Sequence, residues 1–192
     1  MDIAIIGTGF IGTTLGRALA EAGHRVAFGS RHPDDDPPAI PDARVVSVGE
    51  ALSHSDAIIL AIPGAAVADF AASYGDALAG KLVIDATNQM GEAVANSRDS
   101  MPGTVRYARA FNTLGGENFA DPVFTEGRAD MFFSAPEGDR LLVEKIIEGV
   151  GLRPVYVGED QEAIIDALFQ LWIALAIKQG RGRRLALRLL EN

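Results

Sequence analysis

The chain has 192 residues, no cysteine and a net charge of −9, with a pI near 4.8. The acidic balance excludes nucleic acid as a main partner, because a phosphate backbone demands a broad basic surface. The lack of cysteine excludes disulfides, thiolate metal sites and a thiol nucleophile, and His24, His32 and His54 are too scattered to predict a zinc site.

The start, MDIAIIGTGFIG, is apolar but has no basic leader and no small-residue cleavage pattern, so no signal peptide is expected. The most apolar later run, residues 163–177, is broken by Asp166 and Gln170 and falls short of the ~20 apolar residues of a membrane span. A cytoplasmic protein with no membrane partner is the expectation.

Short β-branched runs alternate with longer Ala- and Leu-rich ones. DIAII (2–6) reads as a strand and FIGTTLGRALAEAG (10–23) as a helix stopped by Gly23. RVAFG (25–29) is a second strand. HPDDDPPAIPDA (32–43) holds four prolines and predicts a loop. RVVSV (44–48) reads as a strand, GEALSHS (49–55) as a short helix, and DAIILAIP (56–63) as a strand apolar on both faces, as a central parallel strand should be. A helix over 65–78 and a strand over 81–88 follow. VRYARAF (105–111) and ADMFFSAP (129–136) are further strands, 137–150 a helix, RPVYVG (153–158) the last strand, and 162–191 a helix. The alternation predicts an α/β class: a Rossmann-type doubly wound parallel sheet with a short C-terminal helical extension. The division falls at residue 160, giving a sheet domain over 1–160 and an extension over 161–192.

Gly7-Thr8-Gly9-Phe10-Ile11-Gly12 fits G-x-G-x-x-G. The match is informative because it closes a strand and opens a helix within a βαβ unit. Gly7 allows the tight turn, Gly9 lets the backbone approach a pyrophosphate, and Gly12 lets helix and strand pack closely. The helix N-terminus offers free N–H groups to the phosphates. The competing reading is a strand–helix turn with no ligand.

A site for NAD places an acid at the end of the second strand, on the ribose hydroxyls. Here that place reads Ser30-Arg31-His32. A guanidinium grips phosphate bidentately and a hydroxyl donates one more bond, while the missing acid removes repulsion. Ser30 and Arg31 therefore point to the 2′-phosphate of NADP, with His32 stacking on adenine or donating to the phosphate. Against this, Arg31 is a solvated loop charge or an adenine-stacking group in an NAD site, and Asp34, Asp35 and Asp36 oppose a phosphate unless they face solvent.

In an open α/β sheet the ligand lies across the carboxyl ends of the strands. Those ends are Ala61-Ile62-Pro63, a small apolar wall, then Ala86-Thr87-Asn88, then Ala110-Phe111-Asn112-Thr113. Asn88 and Asn112 can each fix an amide or bridge loops. Asp85 reads as a structural acceptor, Ser97 and Ser100 lack a His partner nearby in sequence, and no acid–base pair or metal ligand set emerges. No catalytic side chain is assigned, because hydride transfer between two bound rings needs none and positioning supplies the rate.

GTGFIG, GSR, AIP, DATN and RAFNT in this order, with the late LW…LA…G…RLALRLL segment, resemble the NADPH-dependent deazaflavin (coenzyme F-420) reductase family over nearly the whole chain. The domain also resembles the cytosolic oxidoreductase domain of STEAP metalloreductases. The resemblance implies NADP(H) along the strand ends, a flavin or deazaflavin as second substrate, and a homodimer. It implies Thr8, Gly9, Phe10 and Ile11 at the pyrophosphate, Ser30 and Arg31 at the 2′-phosphate, Ala61, Ile62 and Pro63 at the ribose and nicotinamide, and Asn112 and Thr113 near the ring-stacking site. Thr87, Asn88 and Ala110 complete the candidate set. The sequence departs from the family where a second basic residue often follows GSR; here prolines and acids stand instead.

Leu168, Phe169, Leu171, Trp172, Leu175 and Ala176 recur at helical spacing and are expected to pack on the protein's own sheet, or else on a second copy. Lys178, Arg181, Arg183, Arg184 and Arg188 are read as complementing the C-terminal end of that helix, with an acidic second substrate as the alternative. Three functions stay open: hydride transfer between NADPH and a flavin or deazaflavin, NADP-dependent reduction of a small carbonyl or imine, and a non-catalytic NADP(H) sensor. Pyrroline-carboxylate reductase and β-hydroxyacid dehydrogenase types usually carry a longer helical domain, which weighs against the second.

Overall fold

The structure is a computed structural model that describes residues 1–34, 40–41, 43–88 and 97–190. Its centre is a six-stranded parallel sheet. The strands are β1 (Asp2–Ile6), β2 (Arg25–Ser30), β3 (Arg44–Ser47), β4 (Ala57–Leu60), β5 (Leu82–Asp85) and β6 (Arg106–Arg109), in the order β3-β2-β1-β4-β5-β6. The chain crosses over between β1 and β4, so the strand order reverses beside the glycine-rich loop. All four residues of β4 are buried, as its unbroken apolar sequence requires.

The two-residue period of the strands sorts the core into two layers. Ile3 and Ile5 of β1 join Leu15 and Leu19 of α1 (Phe10–Glu21) on one face. Ala4 and Ile6 pack on the other, with α2 (Val48–Ser53) and α3 (Val67–Leu78). The first face continues through α4 (Glu117–Ala120) and α5 (Arg140–Gly149), which contribute Phe119, Val143, Ile146 and Ile147.

Beyond β6 the pattern changes. β7 (Val123–Phe124) and β8 (Gly127–Arg128) form a small hairpin. β9 (Asp130–Phe133) and β10 (Arg153–Tyr156) form a separate parallel pair. It meets the main sheet through an antiparallel bridge between Arg109 and Ser134.

The C-terminal part departs from expectation. The helix anticipated over 162–191 is α6 (Glu162–Ile173) followed by a π-helical turn over Ala174–Lys178. Gly180 and Gly182 then take positive φ, 67° and 87°, a conformation glycine reaches without penalty, and helix formation stops there. Residues 181–190 form a strap without regular secondary structure. The Leu187 carbonyl accepts from the Asp130 N–H, and the Leu189 N–H donates to the Asp130 carboxylate at 2.6 Å. Lys178 does lie in the last helical turn, as expected, but Arg183 and Arg184 do not complement a helix end. Arg183 pairs with Glu117, and Arg184 with Asp121, across a gap of more than 60 residues in the chain. Of the apolar helix face, Phe169, Trp172 and Ala176 are buried, joined by Ile165, while Leu171 is exposed.

Candidate functional site

α1 starts at Phe10, with Gly9 as its N-cap in an extended conformation and no side-chain cap. The first-turn N–H groups therefore have no intrahelical or side-chain acceptor. The first turn holds no acid, so nothing in it opposes an anion. Gly7 has φ 116°, and a Cβ there would lie 2.5 Å from the Ala61 carbonyl oxygen. A Cβ on Gly12 would strike the Gly7 carbonyl, whereas one on Gly9 would meet nothing within 4 Å. Gly7 and Gly12 are thus set by packing, and Gly9 opens the loop to whatever approaches. Thr8 and Phe10 are exposed and Ile11 half-buried. Thr13, which no motif marks, holds the loop in shape by donating its hydroxyl toward the Gly9 carbonyl at 2.8 Å and the Thr8 carbonyl at 3.1 Å.

At the end of β2, the Ser30 hydroxyl oxygen accepts the His32 N–H at 3.0 Å. Its own proton stays available to donate outward. Arg31 and His32 are exposed, and Arg31 forms no ion pair with another described residue. Asp34 is exposed; Asp35 and Asp36 lie outside the described residues.

The end of β4 lies against the glycine-rich loop. The Ala61 N–H donates to the Ile6 carbonyl, and Ile62 Cγ2 would lie 3.3 Å from a Gly7 Cβ. Pro63 is exposed. Gly7, Ala61 and Ile62 form one continuous wall.

The ends of β5 and β6 are built differently, around a buried polar network. Arg109 is 1% exposed yet charged. It contacts Asp85 at 3.1 Å and Asp166 of α6 at 2.8 Å, and donates to the Thr87 carbonyl at 2.7 Å. Tyr107 donates its hydroxyl to Asp85 at 2.6 Å, and Asp85 also accepts the Thr87 N–H at 2.7 Å. Burial alone would disfavour the Arg109 charge, but Asp85, Tyr107 and Asp166 outweigh it and hold its pKa above the ordinary value. Burial, followed by the Asp85 charge, pushes the Tyr107 phenol far up, so it remains a donor at all working pH values.

Asn112 completes this half. Its amide donates to the same Thr87 carbonyl at 2.8 Å, and Asn88 donates to the Asn112 carbonyl at 3.1 Å. Of the two roles open to these asparagines, the geometry shows loop bridging. The preceding residue, Phe111, has φ 66°, unusual for a bulky side chain. Its ring stands edge-on to Phe119 at 5.8 Å and its N–H points to the Met131 sulfur at 3.1 Å. Ala110 is buried, its N–H on the Asp85 carbonyl. Thr113 is also buried, its hydroxyl on the Met131 sulfur. Sequence reasoning does not reach Tyr107, Arg109 and Asp166 as members of this network. The available signal is a second charge in the strand: Arg106 stands at its exposed start, but Arg109 lies between Ala108 and Ala110 at its buried end and demands a buried partner.

Among the described residues no group of three or more His, Asp or Glu could hold a metal ion. No helix among them is long and apolar enough to cross a membrane.

A parallel sheet with its strand reversal beside a glycine-rich loop and an uncapped helix defines a Rossmann-type α/β fold. Residues 2–89 match the model of a family described as NADP oxidoreductase, coenzyme F420-dependent. A candidate F420-dependent NADP reductase from Arthrobacter sp. FB24 shares the whole fold, with 100% of both chains covered, a TM-score of 0.84 and 22% identity. A hypothetical protein from Sinorhizobium meliloti matches with a TM-score of 0.70 and 27% identity, over 100% of this chain and 96% of that one. An imine reductase from Streptomyces aurantiacus matches with a TM-score of 0.69 and 19% identity, over 91% of this chain but 61% of the longer one. The likenesses below 25% identity are likenesses of fold.

Proposed function

We propose that this chain binds NADP(H) across the carboxyl ends of β2, β1, β4, β5 and β6 and transfers a hydride between it and a flavin or deazaflavin ring. When bound, NADPH supplies the hydride. The chain's own residues bind and orient. The open N–H groups after Gly9 take the pyrophosphate, and Ser30 and Arg31 take the 2′-phosphate with His32 beside them. Gly7, Ala61, Ile62 and Pro63 wall the ribose side. Thr87, Asn88, Ala110, Asn112 and Thr113 form the rigid end where a second ring would stack. The nucleotide domain is residues 1–160 and the extension 161–192, and a homodimer is part of this reading, since Ile164 and Leu171 of α6 stay exposed.

One observation carries the acceptor class. The described ends of β4, β5 and β6 present alanine, isoleucine, proline and amide groups, with the Thr113 hydroxyl turned onto the Met131 sulfur. Such a set positions a flat ring but offers no general acid at neutral pH, which a ketone would require. The fold likeness to imine reductases favours a small imine as the second reading.

Calorimetric titration with NADPH and NADH, on wild type and Arg31→Ala, tests the nucleotide assignment. NADPH is expected to bind more tightly, and Arg31→Ala to cost it about 1.5–3 kcal/mol while sparing NADH, as the loss of a charged hydrogen bond predicts. Equal binding of both, unchanged by the substitution, overturns the reading of Ser30 and Arg31. Turnover with a flavin or deazaflavin but not with cyclic imines supports the acceptor class; the reverse selects the second reading.

A further inference from the structure

We infer that nucleotide occupancy of the glycine-rich loop is transmitted to the C-terminal strap through the Gly115-Gly116 turn, with Trp172 at the receiving end. The inference rests on the reading that NADP(H) binds at that loop. Phe10 stands at the mouth of the loop, 60% exposed, and the edge of its ring presses on the turn. A Cβ on Gly116 would lie 2.5 Å from Ile11 Cδ1 and 2.6 Å from Phe10 Cε1. Both side chains therefore rest directly on the turn's backbone.

The other side of the turn is equally close to the strap. A Cβ on Gly115 would lie 3.0 Å from the Arg183 carbonyl and 3.0 Å from Trp172 Cζ2. One amide group, Asn118 Nδ2, donates to the Gly115 and Arg183 carbonyls, each at 3.1 Å, so turn and strap are fixed to the same side chain. Arg183 donates to Glu117 at 2.6 Å and lies over the Trp172 ring, 5.7 Å from its centre. The indole N–H of Trp172 donates to the Leu185 carbonyl at 2.9 Å. From Phe10 and Ile11 through Gly116 and Gly115 to the strap the contacts are continuous, and close-packed groups transmit strain. A pyrophosphate held by the N–H groups after Gly9 restricts Phe10, and the turn passes that restriction on.

Coupling between two sites is reciprocal. If occupancy shifts the strap between two arrangements, a substitution that shifts the same equilibrium must change nucleotide affinity. The chain has a single tryptophan, so its emission reports the strap end alone. NADP+ is the probe, because reduced nicotinamide absorbs tryptophan emission and would mimic a response. Trp172 emission and acrylamide quenching are followed against NADP+, with calorimetry in parallel.

The expected result is a Trp172 change that saturates at the calorimetric Kd. In Phe10→Ala, with NADP+ raised to calorimetric saturation whatever the new Kd, most of the Trp172 change is lost. Glu117→Gln and Arg183→Ala, at half-exposed positions that preserve the core, shift NADP+ affinity by about fivefold or more. Saturable NADP+ binding with silent Trp172 overturns the coupling and leaves the nucleotide site intact. A full Trp172 response in Phe10→Ala overturns the route through Gly116. No NADP+ binding at all overturns both the coupling and the proposed function.

Discussion

The two halves of the candidate site are built on opposite principles. The half around Gly7, Gly9 and Gly12 is made of backbone: its shape comes from missing side chains, and its chemistry from N–H groups that local structure leaves free. The half around Thr87, Asn88 and Asn112 is made of side chains locked beneath the surface, with Arg109 between Asp85 and Asp166. The first half is open and local in sequence. The second is closed and joins residues up to 81 positions apart, from Asp85 to Asp166. In the proposed reading, one half recognises the nucleotide and the other holds still.

The largest test of this contrast is Arg109→Met. It leaves Asp85 and Asp166 without their shared cation, and removing one partner of a buried pair costs about 3–5 kcal/mol. Urea denaturation should show the loss, while the preference for NADP+ over NAD+ among folded molecules stays intact. A shift in that preference would mean that the buried network also recognises.

Gly12→Ala should act on the first half. Its Cβ would meet the Gly7 carbonyl, and overpacking costs about 1–3 kcal/mol. Here nucleotide affinity should fall together with thermal stability, because the displaced atom belongs to the loop. Unchanged affinity would show that the loop is not the binding element.

Tyr107→Phe is milder. Asp85 loses one donor but keeps Arg109 and the Thr87 N–H, so the cost should be about 1 kcal/mol, read by the same denaturation.

The smallest effect concerns pH and the strap. The Arg183 hydrogen bond holds Glu117 below the usual carboxylate range. A carboxylate depressed in the folded state contributes its contact above the ordinary pKa and loses it as pH falls through the folded one. Trp172 emission should therefore be flat near neutral pH and step at a pH below the ordinary glutamate value. Glu117→Gln should abolish the step; a step near neutral pH would assign the transition to another group.

Much of this architecture is legible in the order of the residues. The parallel sheet follows from alternating strand and helix patterns, and the glycine-rich loop from a motif whose neighbours fix its meaning. The replacement of an acid by Ser30 and Arg31 is equally local. The separate pairing of β9 with β10 is not legible, because short apolar strands carry no mark of which sheet they join. Nor is the end of α6. Leu185 to Leu190 have helical composition, but Gly180 and Gly182 turn the chain away, and bonds to Asp130, Asn118 and Trp172 hold it there.

The fold class and the glycine-rich half of the candidate site are thus properties of the sequence alone, since both depend on periodicity and on glycines within one strand–helix unit. Tertiary contacts were needed to bury Arg109 between two carboxylates, to make Asn112 a bridge rather than a projecting group, and to strap α4 to α6 with the basic C-terminal segment. Each of these depends on residues far apart in the chain. Burial converts such contacts from optional surface charges into obligatory partners.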